Sequence, residues 1–105
     1  MKNRILLIIL SIAVVLMAMP SFAAEEPSVE LGRKLFNNPG LGNSKNSISC
    51  NTCHPDGEGM QNAGQKPNLA AIINQCIVGP LKGDGISENT VAMESLKMYI
   101  KSLGK

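Results

Sequence analysis

The sequence predicts an all-α chain. Three segments place apolar residues at helical spacing, stretches rich in Gly, Asn and Pro separate them, and no stretch alternates apolar and polar residues as a strand does. The first helix spans roughly 29–37. Ser28, after Pro27, is placed to cap it, Glu30 sits in the first turn where a carboxylate suits the helix dipole, and Leu31, Leu35 and Phe36 form its apolar face. Asn37-Asn38-Pro39-Gly40 ends it, and residues 40–49 read as loop. A second loop, 55–67, contains Gly57, Gly59 and Gly64. The next helix starts near Pro67, a residue tolerated at the first helical position, and carries a stripe of Leu69, Ile72, Ile73, Cys76 and Ile77. Gly79-Pro80 stops it, and 82–85 is a turn. The last helix runs from about 90 to 103, capped by Ser87, Asn89 or Thr90, with Met93, Leu96, Tyr99, Ile100 and Leu103 on one face and Gly104 at its end.

Before these elements comes a segment of a different kind. Residues 1–4 carry Lys2 and Arg4, residues 5–19 form an apolar run broken only by Ser11, and Ser21-Phe22-Ala23 places small residues at both positions a signal peptidase reads. This is the pattern of a secretory signal peptide, residues 1–23, cleaved after Ala23 to leave one domain over 24–105. The run is short of the ~20 apolar residues a bilayer span needs, so a retained anchor is the alternative and no stable membrane span is expected after cleavage. Without Lys2 and Arg4 the basic count falls from ten to eight, equal to the eight acidic residues. A neutral domain with no basic patch and no interleaved aromatics excludes nucleic-acid binding.

A domain this small buries only a modest core and often needs a staple. Beyond the leader, Phe36 and Tyr99 are its only aromatic side chains of the Phe, Tyr and Trp class. Loops of about a dozen residues in so short a chain argue for something they wrap. The shortage of bulky side chains points to a large prosthetic group.

Cys50-Asn51-Thr52-Cys53-His54 supplies one. C-x-x-C-H reads as a c-type haem attachment. Two thiols three positions apart on one turn each add to a vinyl group on the same edge of a single haem, and His54 is then directed beneath the iron as an axial ligand. Export agrees with this reading, since such haem is attached outside the cytoplasm. Two other readings of the motif exist. A thioredoxin-like Cys50–Cys53 pair wants a βαβ context that this chain does not show. A structural zinc on Cys50, Cys53, His54 and Cys76 has the tetrahedral count, but adjacent Cys53 and His54 point in different directions.

With this motif in place the chain resembles the class I cytochromes c over nearly all of 29–103. In that family a glycine and an aromatic four residues later on the first helix cross the last helix at a leucine and an aromatic three later; here these are Gly32, Phe36, Leu96 and Tyr99. The resemblance implies a small cytochrome c fold, about three helices and long loops wrapped around one covalently attached haem c, with the aromatics closing the haem crevice. It also implies an iron ligand on the side away from His54. The family's usual partner is a methionine some tens of residues after the motif. Met60 follows His54 too closely and belongs near the proximal side, Met98 falls off the apolar stripe, and Met93 lies on it but inside the last helix. Met93 is also readable as a plain core methionine.

Cys76 is the other candidate. Once Cys50 and Cys53 are thioethers it is the odd cysteine of an exported chain, on a stripe that faces the core. Ile73-Asn74-Gln75-Cys76, Lys82-Gly83, and then Met93, Leu96 and Tyr99 are similar to the haem domains of sulfur oxidation and thiosulfate dehydrogenation. There an equivalent cysteine ligates iron as thiolate, and a relative uses a nearby asparagine. A buried structural cysteine, and a sixth site left open to water or asparagine, remain alternatives. Thioether ligation raises the reduction potential, whereas a thiolate stabilises ferric iron and lowers it.

Two functions are consistent with these residues. The first is a periplasmic, or otherwise extracytoplasmic, carrier passing single electrons between redox partner proteins that dock transiently; no second histidine or paired carboxylates mark a catalytic set. The alternative is a thiosulfate- or sulfane-handling haem protein or subunit that uses Cys76 as iron ligand. A binder of gases or other small ligands is a third, minor possibility if no side chain fills the sixth site.

Overall fold

The computed structural model describes residues 25–104, all helix, turn and loop, with no strand among them. The expected leader over 1–23 lies outside the described residues. Among the described residues four α-helices occur in order: α1 (Val29–Phe36), α2 (Cys50–Cys53), α3 (Leu69–Val78) and α4 (Val91–Ser102). The three longer ones are those the apolar spacing predicts. α2 is the single turn that carries the cysteine motif. Within the two expected loops lie three short 3₁₀ turns, Leu41–Asn43, Pro55–Gly57 and Ala63–Gln65.

The capping expectations resolve at the level of single atoms. Ser28 caps α1, its Oγ accepting from the Leu31 amide at 3.0 Å. Of the three residues considered before α4, Thr90 is the cap: its Oγ1 accepts from the Met93 amide at 3.1 Å and donates to the Ser87 carbonyl at 2.8 Å. α3 begins at Leu69 rather than at Pro67, because Asn68 (φ −103°, ψ 33°) has not yet entered helical geometry.

The frame is the crossing of α1 over α4. A Cβ on Gly32 would lie 2.0 Å from the Ser95 carbonyl oxygen and 2.7 Å from Tyr99 Cβ, so the two backbones meet at a distance only glycine permits. Ser95, fully buried, accepts from the Ser28 amide at 3.1 Å. One turn further along, the Phe36 and Tyr99 rings meet edge to face with centroids 5.1 Å apart. The sequence pairing of Gly32 and Phe36 with the last helix is therefore a real contact, made through Ser95 and Tyr99.

The segment just C-terminal to α3 folds back on that helix. The Leu81 amide returns to the Cys76 carbonyl (3.2 Å) and the Gly83 amide to that of Ile77 (2.8 Å), folding residues 79–83 back over the helix end. The Asn74 side chain clamps Ile86, donating to its carbonyl at 2.9 Å and accepting from its amide at 2.8 Å. Leu69, Ile73, Ile77, Leu81, Met93, Leu96 and Ile100 are buried together with Phe36, Leu41 and Tyr99.

Candidate haem-binding site

The core is not closed. An apolar cavity of about 520 Å³, measured with its open mouth, lies between α2, α3 and α4. Phe36, Ile73, Pro80, Leu81, Leu96 and Ile100 wall it with hydrocarbon, and Cys50, Cys53, His54, Met60 and Cys76 bring sulfur and imidazole to it. This is the lining of a site for a mostly apolar group fixed by a few polar atoms.

The motif is presented by a tightly built turn. Ser49 and Thr52 form a reciprocal capping box, the Ser49 amide donating to Thr52 Oγ1 at 3.0 Å. The His54 amide bonds back to the Cys50 carbonyl at 3.0 Å. One helical turn thus sets Cys50 and Cys53 on the cavity, with Cys50 half-buried and Cys53 exposed at the rim. The chain then turns sharply through Asp56 (φ 52°), Gly57 (φ 80°) and Gly59 (φ 84°), and the Asp56 amide is held by Asn51 Oδ1 at 2.8 Å.

That turn orients the histidine. His54 Nδ1 lies 2.8 Å from the Glu58 carbonyl oxygen. A carbonyl can only accept, so Nδ1 carries a proton, and in the neutral ring the lone pair is then on Nε2. Gly59 stands against the ring, where an added Cβ would sit 3.5 Å from Nδ1, and its positive φ is the conformation that aims the Glu58 carbonyl.

Burial pushes the Cys50 thiol up to about 11, aided by the neighbouring charges of Cys76 and Cys53. Cys76 is raised first by burial and then by Cys53. The three cysteines therefore share one environment. Among the described residues no group of three or more His, Cys, Asp or Glu side chains is disposed to hold a metal ion.

Of the residues the sequence singled out, Cys50, Cys53, His54 and Cys76 come together on this one cavity. Met93 is fully buried in α4 and does not line it. Met98 is on the outer face, 40% exposed. Asn74 spends its amide on the Ile86 backbone. Met60, assigned to the proximal side, does line the cavity; it sits in a loop, where no periodicity could place it.

Residues 26–98 match the family of the di-haem cytochrome c peroxidases. The chain belongs to that family, and so to the c-type cytochromes, in which haem serves electron transfer. No curated protein and no solved structure matches it. The family match supports the cytochrome part of the sequence resemblance. The residues present also fit the group: two thiols on one helical turn, an imidazole with a free Nε2, and hydrocarbon walls. The family is di-haem by description, whereas this sequence contains a single histidine and so one C-x-x-C-H. Among the described residues no helix is long and apolar enough to cross a membrane.

Proposed function

We propose that this chain is a monohaem c-type cytochrome of the periplasm or another extracytoplasmic space, passing single electrons between transiently docked redox partners. The observation that carries the reading is the convergence of Cys50, Cys53 and His54 on one apolar cavity, with His54 Nδ1 held by the Glu58 carbonyl. Cys50 and Cys53 hold a haem c through two thioethers, and His54 is the proximal ligand. The haem, when bound, supplies a one-electron couple. The chain's own residues do the rest. Phe36, Leu96 and Ile100 exclude water, the Glu58 carbonyl fixes the imidazole, and exposed Cys53 marks the edge open to a partner.

The cavity lining supports carriage over peroxide turnover. Its wall residues include no carboxylate, ammonium or guanidinium and no imidazole besides His54, so no side chain there is suited to shuttle protons during O–O cleavage. The test is to express the chain with its leader in a host that matures c-type cytochromes. One thioether-linked haem per chain by pyridine haemochrome and mass, a one-electron Nernst titration, and no haem-dependent peroxide reduction are expected. A second haem, or sustained peroxidase turnover, overturns the proposal.

One observation favours the second reading: Cys76 faces the same cavity as the motif. Under that reading the matured protein oxidises thiosulfate, and Cys76→Ser abolishes the oxidation.

A further inference from the structure

Part of the cavity wall belongs to a pair of loops fastened to each other. Pro80 and Leu81 line the cavity from the fold-back after α3. Ser44 Oγ donates to the Leu81 carbonyl, and Asn46 Nδ2 to the Pro80 carbonyl at 2.7 Å. The Asp84 amide bonds to the Gly42 carbonyl, and Asn43 Nδ2 reaches the Asp84 carboxylate at 3.2 Å. Two lysines ride on this pair. Lys45 stands between Ser44 and Asn46, the residues that fasten the loops, and Lys82 directly follows Leu81. Both are exposed. The ion pairs among the described residues are Arg33–Glu30 and Lys97–Glu94, so neither loop lysine is neutralised by one.

The backbone beneath these lysines is held in place. Among the described residues four non-glycines have a left-handed φ, and three of them are here: Asn43 (56°), Ser47 (54°) and Lys82 (52°). Such conformations persist where the surrounding structure imposes them, and they collect at binding surfaces. Charge around the cavity is also divided. The chain after the expected leader has eight basic and eight acidic residues, so net charge steers nothing and only local arrangement can. Asp56 and Glu58, both exposed, make the motif turn acidic. Asp84, the one carboxylate on the loop pair, accepts from Asn43 and lines a separate groove with Ile86 and Thr90.

From this arrangement we infer that the redox partner centres its contact on the loop pair and presents carboxylates to Lys45 and Lys82. The inference rests on the electron-carrier reading and deepens it by naming the partner's chemistry, an acidic protein face. Such a face is attracted to the loop pair and repelled by the motif turn, so charge sets its orientation as well as its encounter rate. The fastened loops spare the complex the cost of ordering that backbone. A contact built on two lysines is small, as transient redox encounters are.

The experiment follows oxidation of the reduced holoprotein by stopped flow at low and high ionic strength. Ferricyanide is the anionic oxidant, tris(phenanthroline)cobalt(III) the cationic one, and poly-L-glutamate stands in for an acidic face. Lys45→Gln/Lys82→Gln is compared with the parent and with Lys34→Gln/Lys66→Gln, which removes the same charge from exposed positions elsewhere. At low salt ferricyanide is expected to oxidise the parent about tenfold faster than Lys45→Gln/Lys82→Gln, and the difference is expected to vanish at high salt. Poly-L-glutamate is expected to slow the parent and the Lys34→Gln/Lys66→Gln control but not Lys45→Gln/Lys82→Gln. Equal rates in the parent and Lys45→Gln/Lys82→Gln overturn the inference. So does an equal loss in the control pair, which makes net charge the cause. Slowing of Lys45→Gln/Lys82→Gln with the cobalt complex overturns it too, since the couple and not the docking has then changed. A chain without haem, or one that exchanges electrons with neither oxidant, sinks the carrier reading; a competent carrier indifferent to the two lysines sinks this inference alone.

Discussion

His54 takes its orientation from a backbone carbonyl, so the residue that controls it is the glycine that lets the carbonyl turn. Gly59→Ala places an L side chain at φ 84°, a strain of about 1–2 kcal/mol. Relief of that strain swings the Glu58 oxygen away from Nδ1. The expected result is a lower thermal midpoint together with a higher reduction potential, because the imidazole loses the partner that raises its basicity. A fall in stability with no change in potential would show that the carbonyl does not tune the ligand. Gly32 serves packing instead. Gly32→Ala drives a methyl into the Ser95 carbonyl, and the helices must separate. Overpacking of this kind costs about 1–3 kcal/mol, measurable by thermal or denaturant unfolding of the holoprotein with the haem spectrum retained. Both glycines stand in the sequence, yet only Gly32 is legible there, through its spacing to Phe36. The role of Gly59 depends on a positive φ and on a carbonyl four residues from the histidine, which no composition or period encodes.

Among the elements, α3 is the one whose placement brings a third cysteine to the cavity. Its own stripe buries Leu69, Ile73 and Ile77, and residues 79–83 fold back on its C-terminal end. Asn74→Leu removes both hydrogen bonds to Ile86 and leaves that residue's amide and carbonyl without them, a loss of about 1–3 kcal/mol. The ferric spectrum is expected to stay unchanged, since Asn74 is a clamp and not a ligand; a spectral change would reopen the asparagine alternative. α4 depends on its cap in the ordinary way. Thr90→Ala is expected to lower stability by about 1 kcal/mol, read from the unfolding midpoint. The stripes of α1, α3 and α4 were legible because burial on one face imposes the 3.6-residue period. The 3₁₀ turns were not, because each is held by one or two backbone bonds and leaves no repeat.

For the molecule as a whole, the proposed haem would make fold and cofactor one system. Phe36, Ile73, Leu81, Leu96 and Ile100, half of the ten buried hydrophobic side chains among the described residues, turn toward the cavity that carries the motif. A cavity costs stability in proportion to its size. The Cys50→Ala/Cys53→Ala double variant, which cannot fix haem, is therefore expected to lose most of its helical circular dichroism and its cooperative unfolding. A haem-free double variant that remains compact and helical would show that the polypeptide core suffices.

The sequence by itself determined the helical class, the three amphipathic helices, the Ser28 cap and the C-x-x-C-H turn. These are local: a period, a capping residue or a five-residue spacing contains all the information each requires. Tertiary structure decided which sulfur reaches the cavity. Cys76 and Met93 both lie on apolar stripes at the right distance from the motif, and a stripe reports only that a side chain faces inward. Whether inward means the cavity or the packed interior depends on how the helices sit. The fold-back of residues 79–83 leaves Cys76, Pro80 and Leu81 together on the cavity wall, while Met93 is fully buried away from that lining.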